Sequence, residues 1–209
     1  GTTMTAFPLS YLLDLPQPAP GVSLGDYLAE IITDSGRYRT LIDLLPSTND
    51  RAIISPDFAR PPLTHAMLRH FVETFELPTT GRAAPLKPND RIMLALPTGP
   101  ENALALLAVS SYFNCAPVNA SCTAEELQDD ALRLGARAVI STRESTERLG
   151  LDVLYYEHGL EIYFVEPRPS GPAGLFDIDT LGNEIPGSRM NPGKPNEMHN
   201  QSLVLHTSG

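Results

Sequence analysis

Few side chains in this 209-residue sequence have a type and spacing that could do chemistry, and most of those have a plainer role. Glu125-Glu126 and Asp129-Asp130 pair carboxylates as a metal or acid–base site would. They follow Thr123 in a Thr-x-x-Glu capping pattern, however, and a solvated helix face is the expected reading. Ser110 and Ser111 lie inside an apolar run without the Gly-x-Ser-x-Gly turn that exposes a nucleophile. His65 and His70 share a helical segment with no acid or nucleophile spaced to orient either ring as a base. Cys115 and Cys122 form no CxxC pair and have no clustered histidines, so a zinc site lacks ligands and buried free thiols are expected. Lys194, in Pro-Gly-Lys-Pro, lacks both the glycine spacing and the following Ser or Thr of a Walker loop. What remains is the end of the chain, where His206, Thr207, Ser208 and Gly209 follow the apolar stretch 202–205. On its own a Thr-Ser-Gly triplet is no motif, and a strand running into an ordinary turn accounts for it.

The elements that would position these residues are clearest between Leu86 and Ser141. Pro88, Asn89 and Asp90 form a turn cluster, and 91–96 is a nearly continuous apolar run that suits a strand buried on both faces. Pro97 to Pro100 breaks it, and the Ala/Leu-rich stretch from Glu101 to about Phe113 predicts a buried helix. Residues 115–118 predict a second strand. A capping box of Thr123 and Glu126 starts the next helix, which Gly135 ends, and 138–141 is a third strand. Strand, helix, strand, helix, strand with short connections predicts an α/β fold with a doubly wound, mainly parallel sheet flanked by helices.

The run LKPNDRIMLALPTGPENALALLAV resembles the "LKxGDxVxxxLPNxxExxxxxLA" pattern of the adenylate-forming superfamily, which includes acyl-CoA synthetases, peptide-synthetase adenylation domains and luciferases. CTAEELQDDALRLGARAVIST is similar to that family's following helix and strand. Upstream, SPD and LTHAML are similar to its opening, with His65 where tyrosine is usual and Met67-Leu68 in place of Glu-Leu. The resemblance covers roughly 52–140 and rests on scaffold residues. It gives the chain's last residues a meaning: the family's [YH]TSGTTGxPK phosphate loop begins as His206, Thr207, Ser208 and Gly209 do here. In such a loop glycine lets backbone N–H groups approach a triphosphate and hydroxyls add donors. Thr207, Ser208 and Gly209 are therefore implied as the first arm of an ATP phosphate loop, with His206 leading into it. The resemblance implies no catalytic and no metal-binding residue within the sequence.

What the family does is then expected of the parent protein: activation of a carboxylic acid with ATP and Mg²⁺, followed by transfer of the acyl group to the thiol of coenzyme A. Transfer to a carrier-protein pantetheine, in a peptide-synthetase-like or carboxylate-reductase assembly, is the alternative. A non-catalytic module that binds a partner through its helices is a third. The second half of the loop, the magnesium-binding acid, the ribose-binding Asp and the mobile lysine do not occur here. The chain alone is therefore expected to be inactive and to bind no cofactor tightly.

The rest of the chain agrees with a soluble α/β protein. Fifteen basic and 25 acidic residues give a net charge of −10, which argues against nucleic acid or an anionic membrane as partner. No run of eighteen apolar residues suggests a transmembrane segment, and no basic stretch precedes an apolar one at the start, so a cytoplasmic location is expected, with a peroxisomal address further on left open. Free thiols suit that reducing compartment. The reading divides the chain into an extended, proline-bearing lead-in (1–22), a helical preface (23–50), the α/β core (51–165), a Pro/Gly-rich surface connection (166–199) and the strand with the loop start (200–209). In the preface Leu24, Tyr27, Leu28, Ile31 and Ile32 share one helical face. Leu63-Thr64 caps a helix whose core stripe is read as Met67, Leu68, Phe71, Val72 and Phe75.

Overall fold

The computed structural model describes residues 21, 23, 39–56, 59–82, 84–182, 184, 185, 188–190, 192–197, 203 and 204. In chain order the elements are β1 (Arg51–Ile53), β2 (Leu63–Thr64), α1 (His65–Glu73), β3 (Leu77–Pro78), β4 (Arg91–Leu94), α2 (Pro100–Tyr112) and β5 (Asn114–Pro117). They continue with α3 (Ala124–Leu134), β6 (Ala138–Ser141), α4 (Thr146–Leu149), α5 (Leu151–Tyr156), β7 (Glu161–Pro167), β8 (Phe176–Thr180) and β9 (Arg189–Met190). The five-stranded sheet has the order β5-β4-β6-β7-β8, parallel except for β8, which runs antiparallel to β7. Two short antiparallel pairs, β1 with β2 and β3 with β9, flank it.

Alternation along each central strand divides the apolar side chains between two faces. Ile92 and Leu94 of β4, Ala138 and Ile140 of β6, and Tyr163 and Val165 of β7 enter one core with α1 and α2. Met93, Val139, Ile162 and Phe164 enter the other with α3 and α5. A sheet covered on both sides is why these strands read as continuous apolar runs. α2 lies between the sheet and α1, where the Tyr112 hydroxyl donates to the Val72 carbonyl at 2.9 Å, so it is apolar almost all round. α3 is amphipathic and buries only Leu127 and Ala131, one turn apart.

Local signals hold where they are strongest. The Thr123 side chain accepts from the Glu126 N–H at 3.2 Å, and the Glu126 carboxylate accepts from the Thr123 N–H at 2.9 Å. Gly135 ends α3 in the left-handed region at φ 60°. Before β4, Asn89 takes a positive φ of 73°, and the Asp90 carboxylate accepts from the Lys87 N–H at 2.7 Å, which closes the Lys-Pro-Asn-Asp turn.

Other expectations need correction. The segment 166–199 is more than a surface connection: β8 lies within it, and burial of Phe176, Ile178 and Thr180 extends the sheet past residue 165. Gly150, read as weakening one helix, stands at φ 59° between two, ending α4 and preceding α5. Met67 is 48% exposed and stands outside the α1 core stripe, which buries Leu68, Val72 and, just beyond the helix, Phe75. The preface from Leu24 to Ile32 lies outside the described residues, whereas Ile42–Leu44 forms one 3₁₀ turn with Ile42 buried.

Candidate functional site

β4 continues into α2 on one face of the sheet and β5 into α3 on the other, so the loops leaving these neighbouring strands part at their C-terminal ends. Open parallel sheets bind ligands in such a crevice. Here it is a cleft of about 560 Å³, with Leu96, Pro97 and Thr98 after β4, Val118 to Ser121 after β5, Asn102 in the first turn of α2, and Arg148 of α4.

The lining has one sign of charge. Among the described residues Arg148 is the cleft's one cation, and none of those lining it is a carboxylate. The Arg148 guanidinium is held by donation to the Ala120 carbonyl at 2.6 Å and the Cys122 carbonyl at 3.0 Å, which also fixes the loop after β5. Asn119 accepts from the Ser121 N–H at 2.9 Å and tightens the same loop. Asn102 donates to the Leu96 carbonyl at 3.3 Å, joining the start of α2 to the end of β4. Glu101, in the first turn of α2, is engaged outside the lining by Arg60 at 2.5 Å. Hydroxyl and amide groups, one arginine and the positive end of a helix dipole suit an anionic ligand group.

Leu203 forms a parallel bridge with Cys115 of β5, and the Val204 N–H donates to the Cys115 carbonyl at 2.8 Å. Two residues of the expected 202–205 strand thus lie beside β5, on the flank away from β4, and run toward the edge that holds the cleft. His206, Thr207, Ser208 and Gly209 lie outside the described residues.

The side chains set aside on sequence grounds sit apart from this cleft. Glu125, Glu126 and Asp129 are exposed on α3, and Asp130 pairs with Arg133 at 2.6 Å. Ser111 is buried and donates to the Leu107 carbonyl at 2.8 Å. His65 is half-buried and His70 exposed on α1, and Lys194 pairs with Glu197. Among the described residues no group of three or more His, Cys, Asp or Glu could hold a metal ion. No helix among them is long and apolar enough to cross a membrane. Sequence reasoning missed Thr98, Asn102, Ser121 and Arg148; the usable signal was the pair of loops that follow β4 and β5.

Both cysteines are free; Cys115 is buried and Cys122 half-buried. Burial pushes the Cys115 thiol up to about 12 from its ordinary 9.0, and burial with the nearby Glu126 carboxylate raises that of Cys122. At pH 8 an aromatic disulfide reagent is expected to titrate Cys122 in the native protein and Cys115 only after unfolding. The stability linked to Cys115 is complete below pH 9, where the thiol is neutral in both states, and is lost as pH rises toward 12. A denaturation series across that window checks it: Cys115→Ala is expected to flatten the decline in part, the buried Tyr112 and Tyr163 phenols having the same sign.

No family model matches the chain, and no curated protein matches it. Among solved structures it is similar to MatB from Rhodopseudomonas palustris, without ligand and with ATP bound (19% and 17% identity; 64% and 65% of this chain, 25% and 26% of that one; TM-score 0.47 for both). It is also similar to the N-terminal domain of FACL13 from Mycobacterium tuberculosis (17% identity, 52% of this chain, 26% of that one, TM-score 0.41). A third is the N-terminal subdomain of NpsA from Klebsiella oxytoca in complex with anthranilyl-AMSN (18% identity, 54% and 29% coverage, TM-score 0.43). Another neighbour is named as a Mycobacterium tuberculosis fatty acyl CoA synthetase. The chain spans about a quarter of the length of MatB.

Proposed function

We propose that this chain is the N-terminal part of an ATP-dependent, carboxylate-activating ligase that forms an acyl-adenylate and then a thioester with coenzyme A. The observation that carries the reading is the seat of Leu203 and Val204 on β5, parallel to the strand whose C-terminal end opens into the cleft. In this reading the residues that follow, Thr207, Ser208 and Gly209, present hydroxyls and backbone N–H groups to the nucleotide phosphates. Arg148, Thr98 and Ser121 form the electropositive wall of the cleft.

ATP supplies the adenylyl group and, as pyrophosphate, the leaving group. In the first step a carboxylate oxygen bonds to the α-phosphorus as the bond to the pyrophosphate oxygen breaks. In the second, a thiol sulfur bonds to the acyl carbon, its proton goes to solvent and AMP leaves. The task of this part of the chain is electrostatic: donors held at the phosphate stabilise charge that gathers in the transition state without reorganising. The anionic lining preference fits the phosphates, whereas the described residues contribute no carboxylate cluster that would hold Mg²⁺. Those ligands are assigned to the remainder of the enzyme.

The test is exchange of labelled pyrophosphate into ATP by the full-length enzyme. Exchange is expected only when a carboxylic acid is present. Its absence across short, long, branched and aromatic acids, with the protein folded, counts against the proposal.

A further inference from the structure

We infer that Asn196 is a positioning residue, a latch that holds the chain before Leu203 against the far end of α2 and so sets where the strand entering the phosphate loop lies on β5. The latch as a contact stands on geometry alone; its bearing on nucleotide rests on the function proposed above.

The residues before the strand, 191–197, are polar and rich in proline and glycine, with no pattern that would order them. Yet Asn196 is 6% exposed. Its side-chain amide donates to the carbonyls of Ser110 at 3.3 Å and Phe113 at 3.2 Å, and its own N–H donates to the Ser111 carbonyl at 2.7 Å. These carbonyls belong to the last turn of α2 and the residue beyond it, where a helix leaves acceptors without intrahelical partners. One side chain therefore supplies donors to the end of the helix that leads into β5. Glu197 bridges to Thr40, and the next described residue, Leu203, already lies beside Cys115.

The strand is thus held at two points, Asn196 and Leu203, with six residues between them. Asn196 sits by the α2–β5 turn at the N-terminal end of β5, and Leu203–Val204 sits further up the same strand. Without the latch the nearest upstream contact is the isolated bridge of Glu197 to Thr40, and the side-chain tie to the α2–β5 turn is lost. Its removal also strips donors from buried carbonyls, a further penalty on the closed state. A two-residue ladder has little to resist either loss, so the strand would leave β5 more often.

The experiment compares Asn196→Asp and Asn196→Ala with the unaltered full-length enzyme. Asp is nearly isosteric but removes the donors, while Ala removes them without placing a carboxylate at a helix C-terminus. Amide hydrogen exchange at Val204 is read beside that at Val139 and Ile140 of β6, which report the global fold. Exchange at Val204 is expected to rise about tenfold in both variants with β6 unchanged. The KM for ATP in pyrophosphate exchange is expected to rise several-fold with kcat changed less. Unchanged protection at Val204 in whichever variant keeps β6 protected overturns the latch. Lost protection with unaltered kinetics overturns its role in positioning the loop. An unaltered enzyme that shows no pyrophosphate exchange sinks the proposed function instead, and the Val204 protection still decides the latch.

Discussion

A full-length enzyme carrying Gly209→Val is expected to lose about a hundredfold or more of its carboxylate-dependent pyrophosphate exchange, the scale on which removal of one preorganised donor costs a transition state. The loss follows from the role proposed for Thr207, Ser208 and Gly209. A loop that presents backbone N–H groups to phosphate needs its glycine for close approach, and a branched side chain there keeps the triphosphate at a distance. Because the substitution falls beyond the strand that pairs with β5, the melting temperature is expected to change little. Equal exchange by the variant and the parent would remove Gly209 from the phosphate site. A fall matched by a lower melting temperature would assign the residue to the fold instead.

The second large effect is structural and reaches the cleft from behind. Gly174 has φ +87°, and a Cβ built there lies 2.9 Å from the Pro100 carbonyl oxygen and 3.2 Å from its carbon. Pro100 is the first residue of α2, so the obstacle is backbone and cannot swing away. Gly174→Ala is therefore expected to destabilise the protein by about 3 kcal/mol, combining roughly 1–3 kcal/mol for a strained left-handed residue with roughly 1–3 kcal/mol for overpacking. A chemical denaturation midpoint measures this. Since Asn102, in the first turn of α2, lines the cleft, the variant is also expected to bind ATP more weakly while still folded. A midpoint equal to that of the parent would mean that the 168–175 loop moves aside at little cost.

What could be read from the sequence follows from how far apart the deciding contacts lie. The run from β4 to β6 was legible because hydrophobic period, cap residues and breakers agree within a few positions: Thr123 with Glu126 begins α3, and Gly135 ends it. β8 was not. Phe176, Ile178 and Thr180 alternate with Asp177 and Asp179, but in a Pro/Gly-rich setting only pairing with β7 reveals five residues as a strand. The outward carboxylates meet Arg168 and Arg143, partners that no local pattern links to them. The cleft was hidden for the same reason. Arg148 stands in a polar stretch, and what makes it part of a site is its grip on the carbonyls of Ala120 and Cys122, 28 and 26 residues earlier. Asn196 is a loop residue by type and becomes a buried donor only through α2. The phosphate-loop residues were named from resemblance alone, and what the fold adds is the seat of the strand that precedes them.

That seat and that loop meet in a single measurement: the natural coding sequence read past the codon for Gly209. It is expected to continue as Thr-Thr or Thr-Ser followed by glycine, with a lysine shortly after, which completes a phosphate loop behind a strand held on β5. A stop codon, or a continuation without that glycine and lysine, would contradict it and leave the cleft and its arginine as the binding site of a non-catalytic module.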